Sequence, residues 1–483
     1  MSEKPEEGIT VKKENFSEWF SQVVFKTRLV DIRYGLRGFP VHREWGVKIL
    51  RRIYEMFEEE LEKTGHEPVL FPSAIPSRFM EREKEHVEGF TPEVFWVTRA
   101  GNEDLAEPFV LRPTSETAFY SMYSLWIRSW RDLPFKRYQS RITVFRYESQ
   151  TRPYLRGREF PFFETHCAFR TREEALEQIK SDVEIMKKVC SRLSVPFLVL
   201  KRPEWDKFPG AEDTYAAECV MPDGKVSQIG TTHDLGQKFS RAFGVKFKEE
   251  DGTERYAWLT CFGPGVGRLA AAIVGIHGDD TGLVLPSCVA PYQCVIVPIY
   301  FSGRESEVLE YSREVKKSLE EAGIRVFLDD SEEKTPGYKF NHWEMMGVPV
   351  RIEIGPREVE QRTVTLVRRV DRKKSVASFE DLTKSVIERL GENDSLIRER
   401  SERYHSVRDV GDFETLEKIA DTGGFFRAPF CSVGSDGEAC ARELQERTAL
   451  KVRGTVEGEE RAEGNCIICG KPAGATVYLA KAY

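Results

Sequence analysis

Two stretches of this chain set charge, ring and carboxylate side by side on extended backbone. Residues 141–148 (RITVFRYE) and 158–169 (REFPFFETHCAF) read as strands joined by the polar loop SQTRPYLRG. Strand side chains alternate faces, so Ile142, Val144, Arg146 and Glu148 share one side of the first, and Arg158, Phe160, Phe162, Glu164 and His166 one side of the second. Such a face suits a ligand floor. Arginine forks onto phosphate, an aromatic ring stacks on a purine, and a carboxylate takes an amine or a divalent ion. A cross-strand salt-bridge ladder would explain any single pair. It would not explain the whole set, because isolated surface ion pairs stabilise little.

Three further groups belong with this hairpin. Residues 261–279 (CFGPGVGRLAAAIVGIHGD) place glycines before Arg268 at the head of an apolar helix, where small residues allow close approach and the arginine projects from it. A buried helix with one snorkelling arginine is the plainer reading of that segment alone. Thr114 and Glu116 lie at a strand-to-helix turn, where helix capping and dipole complementarity are the local reading. In SQIGTTH, Gln228, Thr231 and His233 do not alternate strictly, so the single face that the family resemblance implies for them would need a bulge at Gly230. Near the end of the chain, Cys431 and Cys440 are loosely spaced while Cys466 and Cys469 stand as CIICGK, a zinc-knuckle spacing. No histidine follows His405, so four thiolates would form a closed structural site.

The elements that must carry these groups divide the 483 residues into two to four domains at about 150 residues each. A stripe of Leu50, Ile53, Tyr54, Phe57 and Leu61 predicts a helix from Arg43 to Gly65, followed by a strand PVLFP. Strands are expected at 108–112 and in a hairpin over 215–235 around Pro222-Asp223-Gly224, with helices at 115–130 and 172–193. Hairpin pairing with helices in blocks implies an antiparallel α+β core over residues 1–286. Alternating strands and helices then imply an α/β unit with a mixed sheet over 287–390, ending in a helix at 379–390. A smaller α+β unit with four cysteines occupies 391–483.

Composition sets the remaining bounds. With 40 % hydrophobic and 31 % charged residues, the chain is neither disordered nor collagen-like. Residues 281–303 carry no charge, but Pro286, Pro291 and Pro298 divide them into short buried strands rather than a membrane span. The N-terminal MSEKPEEGITVKKENFSEWF has no apolar core, so no leader and a cytoplasmic location are expected, with the 10 cysteines reduced or metal-bound. A net charge of -7 requires nucleic-acid binding to come from a local patch. Residues 351–374, with eight basic and four acidic side chains, supply one, although a solvated charged face has the same composition.

Taken together, the helix ending in LFP with Pro72, FRYE with REFPFFE, and the glycines with Arg268 resemble motifs 1, 2 and 3 of class II aminoacyl-tRNA synthetases. LRPTSETAFY, RDLPFKRYQ, SQIGTTHDLGQKFS, GYKFNHWEMMGVPVRIEIGPRE and the cysteine-bearing end with its terminal tyrosine are similar to prolyl-tRNA synthetases of the archaeal and eukaryotic type. The likeness runs from about Phe16 to Tyr483. It implies an antiparallel-sheet catalytic core, an α/β anticodon-binding domain and a zinc-binding C-terminal domain. It also implies L-proline, ATP with Mg2+ and tRNA(Pro) as substrates, a structural Zn2+, a homodimer with motif 1 in its interface, and no membrane. Carried over by motif, Arg146 would hold the α-phosphate and the substrate carboxylate, and Glu148 the adenine amino group. Arg156 and Arg268 would hold the outer phosphates or the far face of the base, with Phe160 on the adenine and Gln228 and Thr231 also at the nucleotide. Thr114, Glu116, Phe162, His166 and His233 would receive proline. Lys339, Glu344 and Arg351 would meet anticodon bases, and Cys431, Cys440, Cys466 and Cys469 the zinc. The interval between motifs 2 and 3 leaves no room for an editing domain. A non-catalytic relative would be expected to lose Arg146, Glu148 or Arg268, and all three are present. Threonyl, histidyl or glycyl specificity is the nearest alternative within the class.

Overall fold

The motif hairpin lies inside a seven-stranded sheet whose order is Glu67–Pro68, Phe135–Phe145, Glu159–Phe169, Trp258–Pro264, Val226–Gly236, Asp213–Val220 and Leu198–Lys201. Only the first pair is parallel. The other neighbours run antiparallel, as hairpin connections favour. The computed structural model describes residues 8–80, 93–459 and 462–483, so the first seven residues of the segment read for a leader lie outside the described residues.

Each face of the sheet has its own core. Helix Glu44–Lys63 buries the predicted stripe, and Gly65 follows it at φ 83°, a conformation that glycine adopts without strain. The ring of Phe163 lies 5.9 Å from Phe57 and 5.5 Å from Tyr138, joining this helix to the sheet. Fully burying a ring of that size contributes about 1.5–3 kcal/mol. Helix Arg172–Leu193, started by a reciprocal Thr171 and Glu174 capping box, completes that layer. Helices Glu116–Trp126 and Lys238–Phe243 form the opposite core with Phe71, Val110 and Leu259. Because neighbouring strand residues face opposite ways, Phe163 enters one core while Phe162, Glu164 and His166 are left for a cavity on the other side.

Several boundaries differ from the sequence reading. The strand expected at 141–148 spans Phe135–Phe145, with its register broken between Gln139 and Ile142, where Arg141 takes φ 55°. It stops before Arg146 and Glu148: Arg146 N still donates to Arg158 O, but Tyr147 N turns away to Glu93 O. The helix expected at 115–130 ends at Trp126, because Ser129 caps a separate short turn, Trp130–Asp132. The helix expected at 379–390 begins at Leu382 and continues to Ser401, since Val386, Leu390, Asn393 and Ile397 keep the buried stripe going through Gly391.

The second sheet is mixed, as expected, in the order Val326–Leu328, Cys294–Pro298, Val350–Ile354, Thr363–Arg368, Lys374–Ser378. Its first two pairings are parallel and its last two antiparallel. A four-stranded sheet, Val407–Asp409, Phe425–Phe430, Ala475–Ala480 and Lys451–Gly454, forms the last unit with helix Glu438–Thr448. Among the described residues no helix is long and apolar enough to cross a membrane.

Candidate active site and cysteine cluster

Thr114, Glu116, Phe162, His166, Gln228, Thr231 and His233 all line one cavity of about 310 Å3. The bulge that this requires is present. Ala217 pairs with Gly230 and Glu218 with Gln228, so Ile229 is the extra residue, and it is fully buried in the core behind the strand. Met186 lies 3.3 Å from where a Cβ on Gly230 would sit, so this position is also tight.

Glu116 opens its helix, yet neither it nor Thr114 acts as the cap. The N-cap is Ser115, which makes no side-chain cap bond, while the Thr114 hydroxyl donates to the Glu116 carboxylate. The Cys261 thiol donates to the other oxygen at 3.6 Å. Burial pushes the Glu116 carboxyl up, and Glu164 adds to that, against the opposing effects of His166 and Thr114. Glu164 goes the other way. Burial would raise it, but hydrogen bonds from His166, Ser115 and Gln139 hold it below the ordinary value. His166 spends Nε2 on Glu164 at 3.0 Å and Nδ1 on the Tyr120 hydroxyl at 3.1 Å. His233 meets the Thr214 hydroxyl at 2.9 Å, and burial brings its pKa down to about 3, so it is neutral. The cavity thus offers a carboxylate, a neutral imidazole and the ring walls Phe162 and Phe208, which fits a small apolar ring bearing one ammonium.

Of the residues expected at the nucleotide, Gln228 and Thr231 line this first cavity, while Arg146, Glu148, Arg156 and Arg268 form a second group. Arg146 is exposed at the strand end. Arg156 stands 3.5 Å from Glu148 and also donates to Tyr483 O at 3.1 Å, while Arg158 donates to Glu148 O at 2.9 Å. Arg268 donates to Leu155 O at 3.3 Å and to Gln228 O at 3.1 Å, tying the hairpin loop to the bulged strand. The motif glycines give close approach between protein segments: a Cβ would meet the Phe162 ring at 3.3 Å from Gly263 and Ile229 O at 3.2 Å from Gly265. Phe160 does not line the first cavity. With Arg156 and Tyr154 it lines a second one of about 340 Å3.

The anticodon group is not a single cluster. Lys339 is only 2 % exposed and donates to Asp329 O at 2.7 Å. Glu344 and Arg351 line one small cleft. Arg372 donates to Glu344 at 2.7 Å; Arg351 donates to Glu353 at 2.8 Å and lies 4.2 Å from the centre of the Phe340 ring. Much of the local basic excess is therefore paired, including Arg362 with Glu314, Arg368 with Asp371 and Arg369 with Asp279.

The sulfurs of Cys431, Cys440, Cys466 and Cys469 all lie within 4.8 Å of one another. Cys431 follows a strand, Cys440 sits in helix Glu438–Thr448, and the other two occupy the turn before Ala475–Ala480. Four converging sulfurs, with no fifth donor grouped with them among the described residues, fit a closed tetrahedral Zn2+ site. Glu116, His166 and Cys261 also lie within 4.8 Å of one another. Both imidazole nitrogens of that trio are already engaged, so His166 has no free nitrogen to give a metal.

Sequence reasoning did not single out Arg202, Phe208, Thr214, Cys261 or Arg453 as cavity residues. Their signal is only spatial, since Arg453 is brought in by the last unit. An antiparallel sheet carrying a motif 2 hairpin and a motif 3 helix, followed by a mixed α/β unit, defines a class II aminoacyl-tRNA synthetase. Residues 95–277 match the tRNA synthetase class II core domain (G, H, P, S and T), 293–389 the anticodon binding domain, and 413–483 the prolyl-tRNA synthetase C-terminal family. The proline-tRNA ligase of Thermofilum pendens is 54 % identical over 99 % of this chain and 100 % of its own, and that of Pyrococcus abyssi 45 % identical over 97 % and 98 %. The solved Giardia lamblia prolyl-tRNA synthetase in complex with prolyl-adenylate superposes with a TM-score of 0.93 at 34 % identity, covering 99 % of this chain and 100 % of that one. The chain belongs to the prolyl-tRNA synthetase family.

Proposed function

We propose that this protein attaches L-proline to tRNA(Pro) in two steps. A carboxylate oxygen of proline attacks the α-phosphorus of ATP, the bond to pyrophosphate breaks, and prolyl-adenylate forms. A ribose hydroxyl of the tRNA's terminal adenosine then attacks the prolyl carbonyl and AMP departs. Neither step needs a protein nucleophile. Catalysis rests on positioning and on stabilising phosphate charge.

The observation that carries this reading is the buried Glu116 carboxylate in an aromatic-walled cavity that borders Arg268 through Gln228. In this reading Glu116 takes the secondary ammonium, Thr114 orients the Glu116 carboxylate, and Phe162, His166 and His233 enclose the ring. Arg146 bridges the substrate carboxylate and the α-phosphate. Glu148 accepts the adenine amino group, Phe160 stacks on the base, and Arg156, Arg268, Gln228 and Thr231 hold the rest of the nucleotide. Mg2+ arrives with ATP and offsets its phosphate charge. A Zn2+ held by the four cysteines would fix the last unit without taking part in chemistry. Lys339, Glu344 and Arg351 are assigned to the anticodon, which requires their present ion pairs to open. We also assign a cytoplasmic location and a homodimer, the latter supported by the apolar Leu70, 79 % exposed beside Pro72 in motif 1.

Arg146→Ala tests the assignment. Loss of one preorganised phosphate contact should cost about 3 kcal/mol or more of transition-state stabilisation, with the protein still folded. Near-normal proline-dependent pyrophosphate exchange in that variant would remove the hairpin from the mechanism.

A further inference from the structure

The segment between strands Leu198–Lys201 and Asp213–Val220 supplies four residues to the amino-acid cavity: Arg202, Asp206, Lys207 and Phe208. The catalytic core holds the two ends of this segment, with Arg202 N donating to Thr214 O at 2.8 Å, Phe208 N to the Thr214 hydroxyl at 2.9 Å, and Phe208 and Ala211 packing into its hydrophobic cluster. Its outer side is held by the C-terminal unit.

Several contacts make that attachment. Glu204 N donates to Val433 O at 2.9 Å, two residues after Cys431. The Trp205 ring packs against the C-terminal hydrophobic core, as Cys431, Val433 and Cys440 do. It also closes over Gly437, where a Cβ would come within 3.3 Å of the ring. Below the segment, Glu218 is wholly buried and receives both Arg202 of the core and Arg453 of the C-terminal unit. Arg202 donates onward to the Gln228 side chain at 2.8 Å and to Arg453 O at 2.8 Å. Lys201 and Thr455 exchange backbone bonds of 2.8 and 3.0 Å at the sheet edge.

A purely structural appendage needs none of this aim at the cavity. We propose that the C-terminal unit is a positioning element of the amino-acid pocket, acting through Trp205 and Arg453 on the loop 202–211. Trp205 sits one residue before Asp206 and three before Phe208, so anchoring its ring sets where those two side chains stand against the substrate. Arg453 neutralises Glu218 together with Arg202, which leaves Arg202 oriented toward Gln228. A loop without its anchor would sample many conformations, and substrate would have to restore the order at a cost in affinity. This inference rests on the proline-activating reading above.

The test is steady-state pyrophosphate exchange with full-length Trp205→Ala, Trp205→Leu and Trp205→Phe, alongside thermal melting and metal analysis of each protein. For Trp205→Ala, KM for proline should rise about tenfold or more, as small misplacements of binding groups do, while KM for ATP stays within about twofold. Metal content should stay close to wild type, Tm should fall in Trp205→Ala as the core contact is lost, and Trp205→Phe should restore most of the proline affinity. If Trp205→Ala does not fold, Trp205→Leu carries the same comparison. An unchanged KM for proline overturns the proposal. So does a parallel rise of both KM values, which would make Trp205 a structural residue only. Wild-type protein that exchanges pyrophosphate with proline keeps the functional reading intact in either case; wild-type protein that does not do so refutes that reading instead.

Discussion

Glu116→Gln keeps the shape of the side chain proposed to hold the amine and removes its charge. Glu116 is 4 % exposed and receives the Thr114 hydroxyl and the Cys261 thiol, so few water molecules can compensate a substrate ammonium that loses its counter-ion. Hydrogen bonds to charged groups contribute about 1.5–3 kcal/mol, and glutamine still accepts one neutral bond. At about 1.4 kcal/mol per decade, KM for proline should rise about 10- to 100-fold. The assay is proline-dependent pyrophosphate exchange, with KM for ATP as the internal control. It should not move, because Glu116 is on the amino-acid side of the cavity. The pH dependence gives a second signature. A protonated carboxyl cannot pair with the ammonium, and burial raises the Glu116 carboxyl above its ordinary range. KM for wild type should therefore rise as pH falls through that raised pKa and level off above it, whereas Glu116→Gln should lose this dependence. An unchanged KM for proline, or a variant that keeps the wild-type pH profile, would refute the assignment of the ammonium to Glu116.

Three other expectations follow from particular side chains. Cys466→Ser should release one zinc per chain by elemental analysis and unfold the C-terminal unit first; a metal-free yet equally stable wild-type protein would leave four ordinary thiols. Burial raises the Asp182 carboxyl from 3.8 to about 7 despite hydrogen bonds from Gln178 and Thr232. The stability of its protonated form is fully present below the unfolded value and lost as pH rises through about 7, so Asp182→Asn should flatten the fall of Tm across that window, and an unchanged slope would contradict this. Arg351→Ala should raise KM for tRNA by about 1–3 kcal/mol equivalent while proline exchange stays normal. Its loss should be tolerated structurally because Lys374 still neutralises Glu353 at 2.9 Å; a parallel drop in Tm and in both half-reactions would make the residue a structural partner of Glu353.

The parts of the fold legible in the sequence are those with local causes. The Pro222-Asp223-Gly224 turn, the stripe from Leu50 to Leu61 and the α/β alternation after Pro286 each follow from periodicity or turn chemistry within a few residues. The bulge expected at Gly230 had a different source: only the family resemblance asked Gln228, Thr231 and His233 to share a face, and the extra residue is the neighbouring Ile229. The hairpin Phe95–Ala100 with Glu103–Leu111 was readable only at its end, because its middle is polar and exposed on both faces. The extension of the motif 2 strand back to Phe135 depends on Gln139, fully buried and bonded to Glu164 and Ser115, partners that no spacing rule would pair with it. Least legible was the Arg202, Glu218 and Arg453 network. Its members are 16 and 235 positions apart, and only the docking of the last unit explains why a carboxylate is fully buried there.

The central claim is that this cavity selects proline and activates it with ATP. A pyrophosphate exchange panel over all the standard amino acids tests it most directly. Proline should support exchange with the highest kcat/KM of the set, and threonine, histidine and glycine should remain near background. Faster exchange with any of those three, or no exchange with proline in a folded, metal-replete protein, would contradict the account.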